Sequence, residues 1–167
     1  MIRMILLSFL LHFTHWGLAN DEIRNLWFDL DDNNKKSAFI DLVERQKEKH
    51  PTMDAYRAAA MMLKADLTSF PNDKLKYFNL GKDMLELCLR QNPWNTECRF
   101  IRLTLQCKSP WFLGYHQQIE EDARVVLDHF KLQYVTTKVT YWKKAKQFMQ
   151  LDSHIPSDIK KQLTLLR

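Results

Sequence analysis

Apolar residues recur along this chain at every third or fourth position, and short polar stretches cut the pattern into segments of about one helix each. That period belongs to amphipathic helices rather than strands. Ile23, Trp27 and Leu30 share one side of a short first helix over 21–30. Asp31-Asp32-Asn33-Asn34 breaks it and can cap a second helix, 35–49, whose stripe is Ala38, Phe39, Leu42 and Val43. His50-Pro51-Thr52 stops that helix, and Thr52 can cap a third over 53–68. There Ala55, Tyr56, Ala59, Ala60 and Leu63 fall on one face, with small residues that let a neighbouring helix approach closely. Phe70-Pro71-Asn72-Asp73 makes the next turn, with Asp73 as the expected cap. The fourth helix, 74–91, lines up Tyr77, Phe78, Gly81, Met84, Leu85 and Cys88. A glycine inside a helix costs about 1 kcal/mol against alanine, so a close helix crossing is expected at Gly81.

Asn95 is the expected cap of a fifth helix, 96–108. One of its faces carries Cys98, Ile101 and Leu105, and the other carries Arg99, Arg102 and Gln106. Ser109-Pro110 ends it, and Trp111-Phe112-Leu113-Gly114-Tyr115 forms an aromatic elbow in which Gly114 can take a positive φ. A sixth helix over 116–130 buries Ile119, Ala123, Val126, Leu127 and Phe130. Residues 135–151 begin with β-branched residues, as a strand does. Yet Val135, Val139, Trp142, Ala145, Phe148 and Met149 keep helical spacing, and no partner strand is visible. The spacing predicts a helix there. Ser157 then caps a last short helix with Ile159, Leu163 and Leu166. Glycine is scarce, with three in the chain, which argues against the many turns of an all-β fold. The expectation is an all-α domain of seven to eight helices, paired as antiparallel hairpins because the loops are short.

The run from Gly81 to Glu97, small-x-x-x-Leu-Glu-x-Cys-Leu-x-x-Asn-Pro-x-Asn-x-Glu, resembles the second helix and inter-repeat turn of a tetratricopeptide repeat. That family carries small residues where Gly81 and Cys88 stand, a large apolar one at Leu85, and the proline at Pro93. The likeness covers one half-repeat. Residues 53–69 lack the Trp and Leu-Gly pattern of the first helix, and Arg99 and Arg102 stand where the next repeat has apolar residues. The resemblance implies helix hairpins stacked in a short array, with a concave surface that holds a peptide or protein partner. Glu97-Cys-Arg-Phe-Ile-Arg, with Gln106 and Pro110-Trp-Phe-Leu-Gly-Tyr, is also similar to small exported helical proteins of Bacteroidetes that have no assigned activity. That likeness implies no mechanism.

The first nineteen residues read differently. Arg3 precedes an apolar run from Met4 to Phe13, and Gly17-Leu18-Ala19 places small residues where a signal peptidase reads them. A signal peptide over 1–19 is expected, followed by a single helical domain over 20–167. The apolar run is short of the roughly 20 residues that span a membrane. The protein is therefore expected to be exported, periplasmic or secreted, with no membrane span after cleavage; a retained N-terminal anchor is the alternative. The formal charge of +5 comes from 25 basic and 20 acidic residues mixed along the chain. No basic patch of the kind that grips nucleic acid stands out.

Export exposes thiols to oxidation, but three cysteines, Cys88, Cys98 and Cys107, cannot form a closed disulfide framework. Cys88 and Cys98 flank a turn and can face each other across a helix pair; the simpler reading makes all three small buried hydrophobes. No CxxC or close Cys/His cluster suggests a metal, and no phosphate loop, nucleophile elbow or HExxH suggests catalysis or a cofactor. The candidate site is Arg99, Arg102 and Gln106 with Trp111, Tyr115 and His116, since two arginines on one helix face can grip a carboxylate or phosphate. The rival is that these arginines pair with Glu97, Glu120, Glu121 or Asp122 and hold two helices together. Two functions follow: a non-catalytic scaffold with a groove for a peptide or protein, or a small-anion binder or enzyme built on Arg99, Arg102 and Tyr115.

Overall fold

The computed structural model describes residues 21–132 and 139–166. The expected signal peptide lies outside them. Among the described residues there are eight α-helices and no strand. They are α1 (21–27), α2 (Asn33–Arg45), α3 (Pro51–Leu67), α4 (Pro71–Gln91), α5 (Thr96–Lys108), α6 (Ile119–Leu132), α7 (Val139–Leu151) and α8 (Ser157–Leu165), with a 3-10 turn at Trp111–Leu113 before α6. The stretch from Val139 is helical as expected, while 135–138 fall outside the described residues. No helix among the described residues is long and apolar enough to cross a membrane.

Several helix starts differ from expectation for one physical reason. Pro51 and Pro71 open α3 and α4 instead of preceding a capped start. A proline at the first helical position loses no hydrogen bond, and its fixed φ already suits the helix. The cap of α3 is therefore His50, whose Nδ1 accepts from the Thr52 backbone N–H at 3.2 Å, and not Thr52. Phe70 precedes α4 without a side-chain cap, and Asp73 lies in the first turn. Pro156 likewise takes the cap position before α8, so Ser157 is the first helical residue. Asp32 and Asn95 do cap α2 and α5. Helix α2 stops at Arg45 rather than Lys49, because the strap after it is tied down from α3: Arg57 Nη2 donates to the carbonyls of Gln46 and Glu48 at 2.8 and 2.7 Å.

Helices α3 and α4 form an antiparallel hairpin. The Cys88 thiol, near the end of α4, donates to the Pro51 carbonyl at the start of α3 at 3.2 Å. Midway, Gly81 lies against Ala58 and Met62; a Cβ there would sit 2.6 Å from the Ala58 carbonyl oxygen and 2.8 Å from the Met62 nitrogen. The expected close crossing is real, and only a glycine fits it. Helix α2 packs on the far side of α3, α5 packs across both α3 and α4, and α6 runs antiparallel to α5. Helix α8 closes against α6 and α7.

Helix α5 is the spine of this stack. Cys98, Phe100, Ile101 and Leu103 are fully buried, and so is Gln106; Glu97, Arg102 and Thr104 are nearly so. Around Phe100 gather Phe28, Tyr141 and Phe148, with ring centroids 5.3 to 5.9 Å apart. Edge-on aromatic pairs of this kind each add about 0.5–1.5 kcal/mol beyond the area they bury. A helix buried on every side is normally apolar all round. This one carries four charged side chains that meet partners inside the fold or at its edge.

Candidate functional site

The polar face of α5 is turned toward α6 and α4, not toward solvent. Arg102 makes a two-pronged contact with Asp122 on α6, Nε to Oδ2 at 2.7 Å and Nη2 to Oδ1 at 2.8 Å, and its Nη1 donates to Glu86 Oε2 on α4 at 2.8 Å. Arg99 Nη1 reaches the same Asp122 at 2.9 Å and Glu121 at 2.6 Å, while its Nε donates to the Pro93 carbonyl at 2.9 Å. The Tyr115 hydroxyl donates to Glu86 Oε1 at 3.0 Å, and its ring packs edge-on against Phe78. Gln106 donates to the Gln118 side chain at 2.7 Å. Burial works against the charge on Arg102, but the Asp122 and Glu86 carboxylates outweigh it and hold the guanidinium well above its ordinary range. Burial also pushes the Asp122 carboxyl up, against the pull of Arg102 and Arg99. Burial is the main reason the Tyr115 hydroxyl is likewise raised.

A second network holds the start of α5. Arg24 on α1 grips Glu97 with Nε to Oε1 at 2.6 Å and Nη2 to Oε2 at 2.9 Å, and the Tyr56 hydroxyl of α3 donates to Oε1 at 2.9 Å. Burial lowers the Arg24 guanidinium, yet Glu97 more than reverses it. Arg24, Tyr56 and Glu86 were not legible as network members. Their partners lie 16 to 73 residues away in sequence, and no local spacing connects them.

Of the six candidate residues, the structure therefore gathers Arg99, Arg102, Gln106 and Tyr115 into internal contacts around α5. Trp111 is 83% exposed on the elbow. His116 turns to the opposite side, where its Nε2 donates to the Ser109 carbonyl at 3.0 Å and its ring stacks on His154. Each guanidinium lies among carboxylates, and the Arg99 and Arg102 side chains are only 11% and 6% exposed.

The open surface lies elsewhere. A groove of about 690 Å³ runs between the end of α3, the start of α4 and the elbow after α5. Its floor is Met62, Leu63, Phe78 and Leu105, and its walls include Leu75, Pro110, Phe112 and Leu113. Phe112 is 71% exposed and Leu75 about half exposed, and Phe70 stands exposed at the head of α4. Pro110 and the positive φ of Gly114, 63°, hold the 3-10 turn so that Phe112 projects at the rim. Three charged side chains border the groove. Asp66 is tied to Lys36 at 2.7 Å, and Lys108 lies over the Phe148 ring. Lys74 has no ion pair among the described residues. The sequence signal for this surface was Leu75, which sits off the buried stripe of α4.

The three cysteines are buried thiols. Cys88 and Cys98 do face each other across the α4–α5 turn; the interaction of the two thiols lowers Cys88 and, with burial, raises Cys98. Cys107 meets Asp152 and His154, a grouping that the absence of a CxxC or close Cys/His cluster had argued against. No protein-family model, curated protein or solved structure gives a significant match to this chain.

Proposed function

We propose that this protein is an exported, non-catalytic helical scaffold that holds a peptide or protein partner in the α3–α4–elbow groove. The observation that carries the reading is an apolar trough with exposed Leu75 and Phe112 on its rim and buried Phe78 and Leu105 on its floor. A soluble monomer rarely leaves large apolar side chains clustered at a concave surface without use for them. The trough suits a short amphipathic helix that inserts apolar side chains at i, i+3 or i+4, and i+7. With Asp66 already paired, Lys74 leaves the rim positive, which favours an acidic residue at the edge of the partner's apolar face. Export rests on the signal-peptide pattern of residues 1–19.

A displayed library of helical peptides selected on the full chain tests this. The expected winners carry an apolar i, i+3/i+4, i+7 stripe flanked by Asp or Glu, and lose binding to Leu75→Asp and Phe112→Asp. They keep binding to Trp94→Asp, which changes an exposed residue outside the groove. Winners indifferent to Leu75→Asp and Phe112→Asp contradict the reading.

A further inference from the structure

We propose that Cys107, Asp152 and His154 form a zinc site. Cys107 lies in the last turn of α5, Asp152 follows the end of α7, and His154 stands in the turn into α8. One donor atom from each lies within 4.8 Å of the other two. This is the thiolate, carboxylate and imidazole set that zinc accepts, with bonds of about 2.0–2.3 Å. Such bonds separate neighbouring donors by roughly 3.5 Å, so a shift of no more than about an ångström completes the triangle. His154 can supply it, because its side chain is 47% exposed on a turn while Cys107 is fixed in the core.

The surroundings are built for this. Asp152 Oδ1 accepts from the His154 backbone N–H at 2.9 Å and from the His154 Nδ1–H at 2.9 Å, which keeps the two side chains adjacent; a metal taken at Nδ1 replaces the second contact, with the ring proton on Nε2. His116 stacks on His154 with ring centroids 6.1 Å apart. Its Nε2–H is engaged by the Ser109 carbonyl, so in the neutral ring Nδ1 keeps its lone pair. Metal-binding histidines are commonly fixed by a backbone carbonyl on the far nitrogen in this way. Three protein ligands with water in the fourth position make a four-coordinate site. Lys108 is the nearby cation, and its ammonium is drawn aside over the Phe148 ring, 5.8 Å from the centroid.

Binding exchanges the Cys107 S–H bond for an S–Zn bond and releases one proton to solvent. The metal would fasten the end of the spine helix to the α7–α8 turn, on the side of α5 away from its arginines. The site goes beyond the groove and does not depend on it.

Cobalt(II) is the probe, titrated into the full chain under reducing conditions. One equivalent is expected to give a sulfur-to-cobalt charge-transfer band with tetrahedral d–d bands, both bleached by zinc. Cys107→Ser should abolish the charge-transfer band and His154→Ala should weaken binding about tenfold or more. Cys88→Ala should leave both unchanged. His154 is half exposed, so His154→Ala stands as the deciding variant if Cys107→Ser does not fold. No charge-transfer band in the native chain, or one of full strength and affinity in His154→Ala, overturns the site.

Discussion

Gly81 shows how a single position can be read correctly from sequence and still need the structure for its sign. Helix propensity alone makes Gly81→Ala a gain of about 1 kcal/mol. The Ala58 carbonyl and the Met62 backbone leave no room for the added carbon. Both are backbone of α3 and cannot move aside without separating the hairpin. Gly81→Ala is expected to lose about 1–3 kcal/mol, measured by urea unfolding; a gain contradicts the close crossing. Asn95 is a simpler case. Its side chain accepts from the Cys98 backbone N–H at 3.1 Å, so Asn95→Ala should cost about 1 kcal/mol by the same measurement. Its role was legible because a cap acts over three residues. Asp122 was legible only as one of several acids that Arg99 and Arg102 could meet, since nothing local singles out the acid that ends up fully buried between two guanidiniums.

At the scale of elements, the fifth helix was placed within its true bounds, Thr96–Lys108, and its two faces were separated correctly. Its environment was not legible. A stripe of Arg99, Arg102 and Gln106 looks like a solvated or ligand-binding face, because periodicity records polarity and not what covers it. Here α6 and α4 cover it and bring Asp122 and Glu86 with them. The starts of α3 and α4 went astray for a related reason: a proline both ends one helix and opens the next, and the spacing alone does not say which. The elbow was legible as a reversal. Its use as a wall of the groove was not, since the floor comes from α3, α4 and α5 together. Leu75→Asp and Phe112→Asp change exposed side chains, so each should shift unfolding by no more than about 0.5 kcal/mol while removing peptide binding. Loss of both stability and binding would mean that these residues belong to the core.

At the scale of the whole molecule, the all-α stack follows from helical periodicity and short loops, and the eight helices are there in the expected order. What periodicity does not reveal is that the stack is pinned along its spine by ions as well as by apolar packing. Arg24–Glu97–Tyr56 ties α1 and α3 to the start of α5. Arg102–Asp122–Arg99 with Glu86 ties α4 and α6 to its middle. Such networks engage both α5 arginines inside the stack, and the exposed apolar surface lies in the groove instead. These contacts make the α5 arginines ties that hold the fold together. The measurement that tests this most directly is a double-mutant cycle on Arg102 and Asp122, read by urea unfolding of Arg102→Met, Asp122→Leu and the pair together. Asp122 keeps Arg99 when Arg102 is removed, and Arg102 keeps Glu86 when Asp122 is removed, so each single change is expected to cost about 1–3 kcal/mol, and the double change should cost less than their sum. Single changes that each cost less than about 1 kcal/mol and add simply would mean an exposed, replaceable pair, and would return Arg102 to the list of residues free to meet a ligand.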